Sequence, residues 1–261
     1  MATSSNSSQH EEIDRALFDK ISKSYARKDV VPSTRAARRA IVKRAMRPII
    51  AERGGLGTVI DIGCGIGAQA KYLEGDFDNY IGVDYSHELI EIGRRTFADR
   101  SDIRFVEANV KNLPFAEEMA DVILIVGALH HMTDLETVML SLTRIAKPGA
   151  NFVAIEPQCG NPLIQCLRWM RMQLDTHYSS DQKFFSDREL HAILDFAPLT
   201  KTRVEYQGFL TPPFGQAGVR PQILFRPLSA LARALEPVAE FICIGPLARL
   251  SWNAVCYGKF E

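Results

Sequence analysis

The sequence predicts an α/β fold with a mainly parallel sheet, and three observations carry that expectation. Short apolar runs alternate with helix-period segments between residues 58 and 157. The first run ends in a glycine-rich turn, Gly63-Cys64-Gly65-Ile66-Gly67, that opens a helix. Residues 121–126 read as a continuous apolar run after their first residue, as a strand buried on both faces must. Strands and helices in this rhythm stack helices on both sides of a parallel sheet.

The chain has 261 residues, 46% of them apolar, enough for one large domain or one domain with a cap. Residues 1–10 are rich in Ser, Asn and Thr and are expected to be a disordered tail. Residues 11–50 follow a helical pattern broken at Val31-Pro32-Ser33, which gives a helical N-terminal cap. Gly54-Gly55-Leu56-Gly57 punctuates the chain near the start of the main domain, 51–261. In that domain strands are expected at 58–62, 80–84, 103–106, 121–126 and 151–155. Helices fall between them at 67–73, 87–97 and 135–146, the last closed by Lys147-Pro148-Gly149. Beyond Glu156-Pro157 the rhythm changes. An apolar helix is expected over 162–174, a helix over 186–196 with Ser186 as N-cap and Glu189 three positions on, and a strand over 203–208. A Pro/Gly-rich loop at 211–221 precedes an apolar helix at 227–244, interrupted by Pro237, and a last strand at 252–260. Two insertions, about 159–185 and 209–250, would form a lid.

Composition narrows the function classes. Lys plus Arg and Asp plus Glu both number 31, so the formal net charge is zero, without the basic excess of an obligatory nucleic-acid binder. Five cysteines with no CxxC spacing argue against a disulfide framework, and no cysteine–histidine cluster has metal-site spacing. The first residues lack the basic start and apolar stretch of a signal peptide, and no apolar run approaches ~18 residues. A cytoplasmic protein without a transmembrane segment is expected.

The glycine turn carries the strongest chemistry. Glycines let the backbone bend tightly and approach a ligand, and a helix N-terminus offers unpaired N–H groups to a carboxylate or phosphate. Gly63, Gly65 and Ala68 also satisfy a dinucleotide fingerprint, and Asp84, ending the second strand, suits a ribose hydroxyl pair under either cofactor. Asp61 separates the two. A carboxylate there repels a pyrophosphate and favours an ammonium group, or else caps the turn.

Five pieces in order resemble the class I (Rossmann-like) S-adenosylmethionine-dependent methyltransferase family: Asp61 to Gly67, Gly82-Val83-Asp84-Tyr85-Ser86, Leu113-Pro114-Phe115, Leu129-His130-His131-Met132 and Lys147-Pro148-Gly149. The resemblance covers about residues 58–157. It implies a seven-stranded sheet whose last strand is antiparallel, and S-adenosyl-L-methionine as cofactor, leaving S-adenosyl-L-homocysteine. It implies that Gly63, Cys64, Gly65 and Gly67 hold the methionine end with Asp61, that Asp84 accepts from the ribose hydroxyls and that Tyr85 packs on the adenine. Asn109 and Val110 would recognise the adenine edge, although the family often has Asp where Asn109 stands. Gly127 and Tyr25 complete the cofactor set. Candidate bases are His130 and His131, which follow the fourth strand where ligands of open sheets sit, and Tyr25 in the cap. Glu156, ending the fifth strand, touches the acceptor or bonds nearby groups.

The acceptor is expected to be a small, apolar or lipid-like molecule methylated on O, N or C. Leu163, Ile164, Leu167, Trp169, Met170 and Leu174, and Leu228, Leu231, Leu235, Val238, Phe241 and Ile242, have near-helical spacing. Packing onto the sheet is the first reading of most of them, and an apolar pocket or membrane-peripheral contact the second. Arg35, Arg38, Arg39, Lys43, Arg44 and Arg47 read as a solvated basic face, or as a surface for anionic lipid. Two other functions stay open: a nicotinamide-dependent oxidoreductase, and a non-catalytic S-adenosylmethionine-binding partner protein.

Overall fold

Seven strands form one sheet: β1 (Thr58–Ile62), β2 (Asn79–Asp84), β3 (Ile103–Glu107), β4 (Ala120–Val126), β5 (Ala146–Pro157), β6 (Leu199–Gln207) and β7 (Asn253–Phe260). Their order is β3-β2-β1-β4-β5-β7-β6. The structure, a computed structural model, describes residues 11–13, 15–20, 22, 30–162, 164–166, 184–216 and 221–261. The expected tail at 1–10, Tyr25, and Leu163, Leu167, Trp169, Met170 and Leu174 lie outside the described residues. Strands β1 to β5 pair in parallel, whereas β7 is antiparallel to both β5 and β6. Strand β6 therefore runs with the first five, and its carboxyl end lies at the same end of the sheet as theirs.

Side chains alternate across the pleat, so each strand feeds two cores. On β1, Val59 joins Tyr80, Leu124 and Val255 on one face, and Ile60 and Ile62 join Ile81, Ile123 and Phe152 on the other. Helix α1 (Pro32–Arg53) covers the Val59 face with Val42, Ala45, Met46 and Ile49, and the Tyr257 hydroxyl donates to the Ala45 carbonyl at 2.9 Å. It starts where the sequence expected a break, because Pro32 fills the first helical turn, where no amide donor is needed. Short α2 (Ala68–Tyr72) follows the glycine turn, and α3 (His87–Thr96) is N-capped by Ser86. Helices α4 (Leu135–Ile145) and α5 (Asp187–Leu194) cover the opposite face with Val138, Leu142, Leu190 and Ile193. The expected cap of α5 is present as a reciprocal box: Ser186 Oγ accepts from the Glu189 N–H, and Glu189 accepts from the Ser186 N–H at 2.9 Å.

The late region departs from expectation in three ways. The loop expected over 211–221 contains α6 (Pro212–Gln216), and the following helix, α7 (Gln222–Ile242), passes through Pro227 and Pro237 without interruption. The apolar residues of α7 do not pack onto the sheet. Leu228, Leu231, Leu235, Val238, Phe241 and Ile242 are 45% to 82% exposed. The helix instead turns Ser229, Ala232 and Glu236 inward. Polar demand explains this choice. The Glu236 carboxylate accepts from the backbone N–H groups of Phe209, Leu210 and Thr211, at 2.6 Å for the first and last, and Glu240 pairs with Arg44 of α1. Burying apolar side chains there would orphan three backbone donors and a cation.

Candidate functional site

The site begins with the turn after β1. Gly63, Gly65 and Gly67 have φ of +69°, +56° and +74°, a region that disfavours any side chain. The Gly63 and Cys64 N–H groups both donate to the Val83 carbonyl, at 2.8 and 3.0 Å, tying the turn to β2. A Cβ on Gly63 would lie 2.4 Å from the Ala128 Cβ, and one on Gly67 2.4 Å from the Phe105 ring. The first glycine lets the β4 loop approach, and the last seats α2 on the core.

Asp84 joins the turn to the end of β2. Its Oδ2 accepts from the Gly65 N–H at 2.8 Å and its Oδ1 from the Ser86 N–H at 2.9 Å. Burial pushes its carboxyl above the ordinary value, and those hydrogen bonds oppose the rise. Around it opens a concavity walled by the ends of the strands: Ile62, Gly63 and Gly65 after β1, Val83 to Ser86 after β2, Ala108 to Val110 after β3, and Val126 to Ala128 with His131 and Met132 after β4. Strands β1 and β4 flank the point where the strand order reverses, which is where open α/β sheets leave a crevice for ligands.

Of the residues singled out in the sequence, Gly63, Gly65, Asp84, Tyr85, Asn109, Val110, Gly127 and His131 line this concavity together. Cys64, Gly67 and Asp61 stand behind it. The Cys64 thiol is buried, donates to the Gly65 carbonyl at 3.4 Å and is pushed well up by burial, so it is structural. Asn109 caps the turn after β3: its Oδ1 accepts from the Lys111 N–H at 2.9 Å, and its amide donates to Glu11 at 3.2 Å. One lone pair of that carbonyl remains for a ligand donor.

Asp61 is fully buried on the Val59 face. Its Oδ2 accepts from the Tyr80 hydroxyl, while Oδ1 has no hydrogen-bond partner among the described residues. Burial pushes its carboxyl up to about 8, against the pull of the Tyr80 bond. An orphaned buried oxygen behind a glycine turn suits a cationic or N–H-bearing group reaching the turn. These residues fit the ammonium and ribose ends of S-adenosyl-L-methionine.

The histidine pair follows β4. Glu156, fully buried at the end of β5, accepts from the Ala128 and Leu129 N–H groups at 3.0 and 2.8 Å, and its second oxygen is 2.6 Å from His130 Nδ1. Of the two expected roles for Glu156, it takes the bonding one: it clamps the β4 loop and the His130 ring. His130 lies behind His131, ring centroids 4.2 Å apart, and stacks on Phe184 at 5.8 Å.

The residues missed by sequence reasoning lie on the N-terminal segment, helical where described. Glu11, Arg15 and Phe18 line the concavity from above. Glu11 pairs with Lys111 at 2.6 Å and accepts from Thr133 and Asn109. Burial raises its carboxyl, but the bonds from Lys111 and Thr133 outweigh that and hold it below its ordinary value. Arg15 lies over the Tyr85 ring at 5.0 Å and reaches Glu107 at 3.2 Å. Phe18 meets His131 edge-on at 5.1 Å, and Asp19 accepts from the Ser86 hydroxyl at 2.5 Å. These partners lie 67 to 122 residues away in sequence, and no local pattern signals them.

Comparison with known proteins agrees with this geometry. Residues 60–154 match a family model described as a methyltransferase domain. A demethylmenaquinone methyltransferase of Clavibacter sepedonicus is 28% identical over 143 residues, 54% of this chain and 56% of that protein. The ubiquinone/menaquinone biosynthesis C-methyltransferase UbiE of Shewanella oneidensis is 31% identical over 104 residues, 38% of this chain and 41% of its own. The chain thus spans about half the length of the curated relatives it matches. Among solved structures, a SAM-dependent methyltransferase of Thermotoga maritima superposes with a TM-score of 0.65 at 19% identity, covering 94% of this chain and 99% of its own. At that identity the likeness speaks for the fold.

Proposed function

We propose, because the chain belongs to the class I S-adenosylmethionine-dependent methyltransferase family, that it transfers a methyl group from S-adenosyl-L-methionine to a small, apolar, lipid-like acceptor. The observation that carries this reading is the convergence of Gly63, Gly65, Asp84 and Gly127 on one crevice at the switch point between β1 and β4. The cofactor supplies a methyl group on a sulfonium, which an acceptor displaces in line.

The chain's own residues do the rest by holding and excluding. The Asp84 carboxylate keeps lone pairs for ribose hydroxyls while Gly65 and Ser86 fix its orientation. Tyr85 and Val110 offer apolar walls to the adenine, with Asn109 at its edge. The orphaned Asp61 oxygen accepts from the ammonium end, whose positive charge would draw the carboxyl down from its raised value toward the ionised form. Glu11, Arg15 and Phe18 of the N-terminal segment, which line the crevice, help keep water from the reacting atoms. Where the acceptor atom starts protonated, as a ring carbon or hydroxyl does, His131 takes the proton. His130 acts through it: with Glu156 accepting at Nδ1, the His130 ring is fixed beside His131. The names of the two curated relatives support a quinone-type acceptor, methylated at carbon. The strand order weighs against a nicotinamide cofactor, because an antiparallel β7 stands between β5 and β6, unlike the parallel dinucleotide-binding order.

Calorimetric titration with S-adenosylhomocysteine, with NAD as comparison, tests the cofactor. Micromolar binding of the first and none of the second is expected, weakened about 100-fold or more in Asp84→Ala, which removes a buried acceptor of two hydroxyls (about 3 kcal/mol). Binding of NAD alone would overturn the reading.

A further inference from the structure

Helix α7 presents the largest run of exposed apolar side chains on the described surface. Ile223, Leu224, Leu231, Val238, Phe241 and Ile242 are all more than half exposed, and Ile223 and Phe241 reach 82%. At 3.6 residues per turn these six, with Leu228 and Leu235, fall within an arc of roughly 140°, opposite the buried Ser229, Ala232 and Glu236. Arg226 and Arg233 project between the apolar arc and the buried face. With Arg35 and Arg39 of α1 and Lys71 of α2 they line a cleft beside the helix. The one carboxylate in that cleft, Glu74, is already paired with Arg100 at 2.5 Å. Among the described residues no ion pair takes up Arg35, Arg39 or Arg226.

We propose that α7 lies in the surface of an anionic membrane, with its apolar arc among the acyl chains and the adjoining basic cleft on lipid headgroup phosphates. The features together are those of an interfacial helix: a broad apolar face, a polar inner face, and cations at the boundary. No helix among the described residues is long and apolar enough to cross a membrane, so the contact is one of lying on the surface. A second copy of the chain fits the patch less well. An antiparallel two-fold pairing of α7 faces would bring the flanking arginines of both copies to one seam, where like charges repel. The insertion bearing α7 leaves the carboxyl end of β6, the same end of the sheet as the crevice. The docking does not rest on methyl transfer, since it is read without cofactor or turnover.

The test is sedimentation of the full chain with phosphatidylglycerol–phosphatidylcholine vesicles, and with pure phosphatidylcholine vesicles, at low and high salt. Ile223→Asp with Phe241→Asp removes the apolar contact at two side chains that touch little, and circular dichroism checks that the fold is kept. Arg39→Glu with Arg226→Glu inverts the cleft. The wild type is expected to pellet with the anionic vesicles at low salt. Each double variant should partition about tenfold or more weakly, because it loses buried apolar area or two cations at the surface. Three results would each overturn the proposal: wild type remaining in the supernatant with anionic vesicles, the double aspartate variant pelleting undiminished, or ultracentrifugation showing a dimer that this variant splits.

Discussion

Asp61 is a carboxyl group with one bonded oxygen and one orphan, closed to water. Its value in the folded chain is about 8, against about 3.9 in an unfolded one. Between those values the folded chain keeps a proton that the unfolded chain has lost. The stabilisation from this group is therefore complete below about pH 4, falls as pH rises, and is gone above about 8. Asp61→Asn keeps the acceptor for Tyr80 and cannot ionise. The variant is expected to melt a few degrees above wild type at pH 8.5, about 1–2 kcal/mol, with the gap shrinking toward pH 5. A gap independent of pH would show that Asp61 is ionised throughout. That a carboxyl group stands just before the glycine turn was legible in the sequence. Its orphaned oxygen was not, because that depends on Tyr80 arriving from the neighbouring strand 19 residues away.

Elements with strong local signals were read closely, and those whose limits depend on partners were not. The first strand and the capped α5 agree with their sequence patterns, since an apolar run and an S-x-x-E box are local statements. Strand β5 extends to Ala146–Pro157, well beyond its apolar core, because β4 and β7 supply edges for it to pair with. Helix α7 was read correctly as a helix and wrongly as to its buried face, because periodicity gives an apolar side without saying what it meets. The turn between β1 and α2 offers a test at this scale. Gly67 has a left-handed φ and faces the Phe105 ring, which also lies close to Gly82 and Gly93. Gly67→Ala must strain the backbone and displace a core aromatic held from three sides. A loss of about 2–3 kcal/mol is expected, read as a drop of roughly 5–10 °C in Tm. An unchanged melting temperature would mean that the ring moves aside freely and that the turn tolerates a side chain.

Across the whole molecule, the parallel sheet with helices on both faces follows from the α/β rhythm, whereas the strand order and the contacts that hold the N-terminal cap over the crevice do not. The N-terminal segment is joined to the body by the Glu11 bonds to Lys111 and Thr133, the Arg15–Tyr85 and Phe18–His131 contacts and the Asp19–Ser86 bond. None of these residues is a strand or belongs to either core cluster. Removing residues 1–22 should thus leave the sheet and its cooperative unfolding nearly intact while uncovering Tyr85, Asn109 and His131. The Glu11 carboxyl, held below its ordinary value, stays charged at neutral pH and keeps its grip on Lys111. The truncated chain is expected to bind S-adenosylhomocysteine about tenfold more weakly, a change of about 1.4 kcal/mol carried mainly by faster dissociation. Stopped-flow displacement measures that rate, and urea unfolding reports on the fold. An unchanged dissociation rate in a truncated chain that unfolds normally would mean that the segment rests on the site without closing it. A large loss of stability would mean that the segment belongs to the core and is no roof at all.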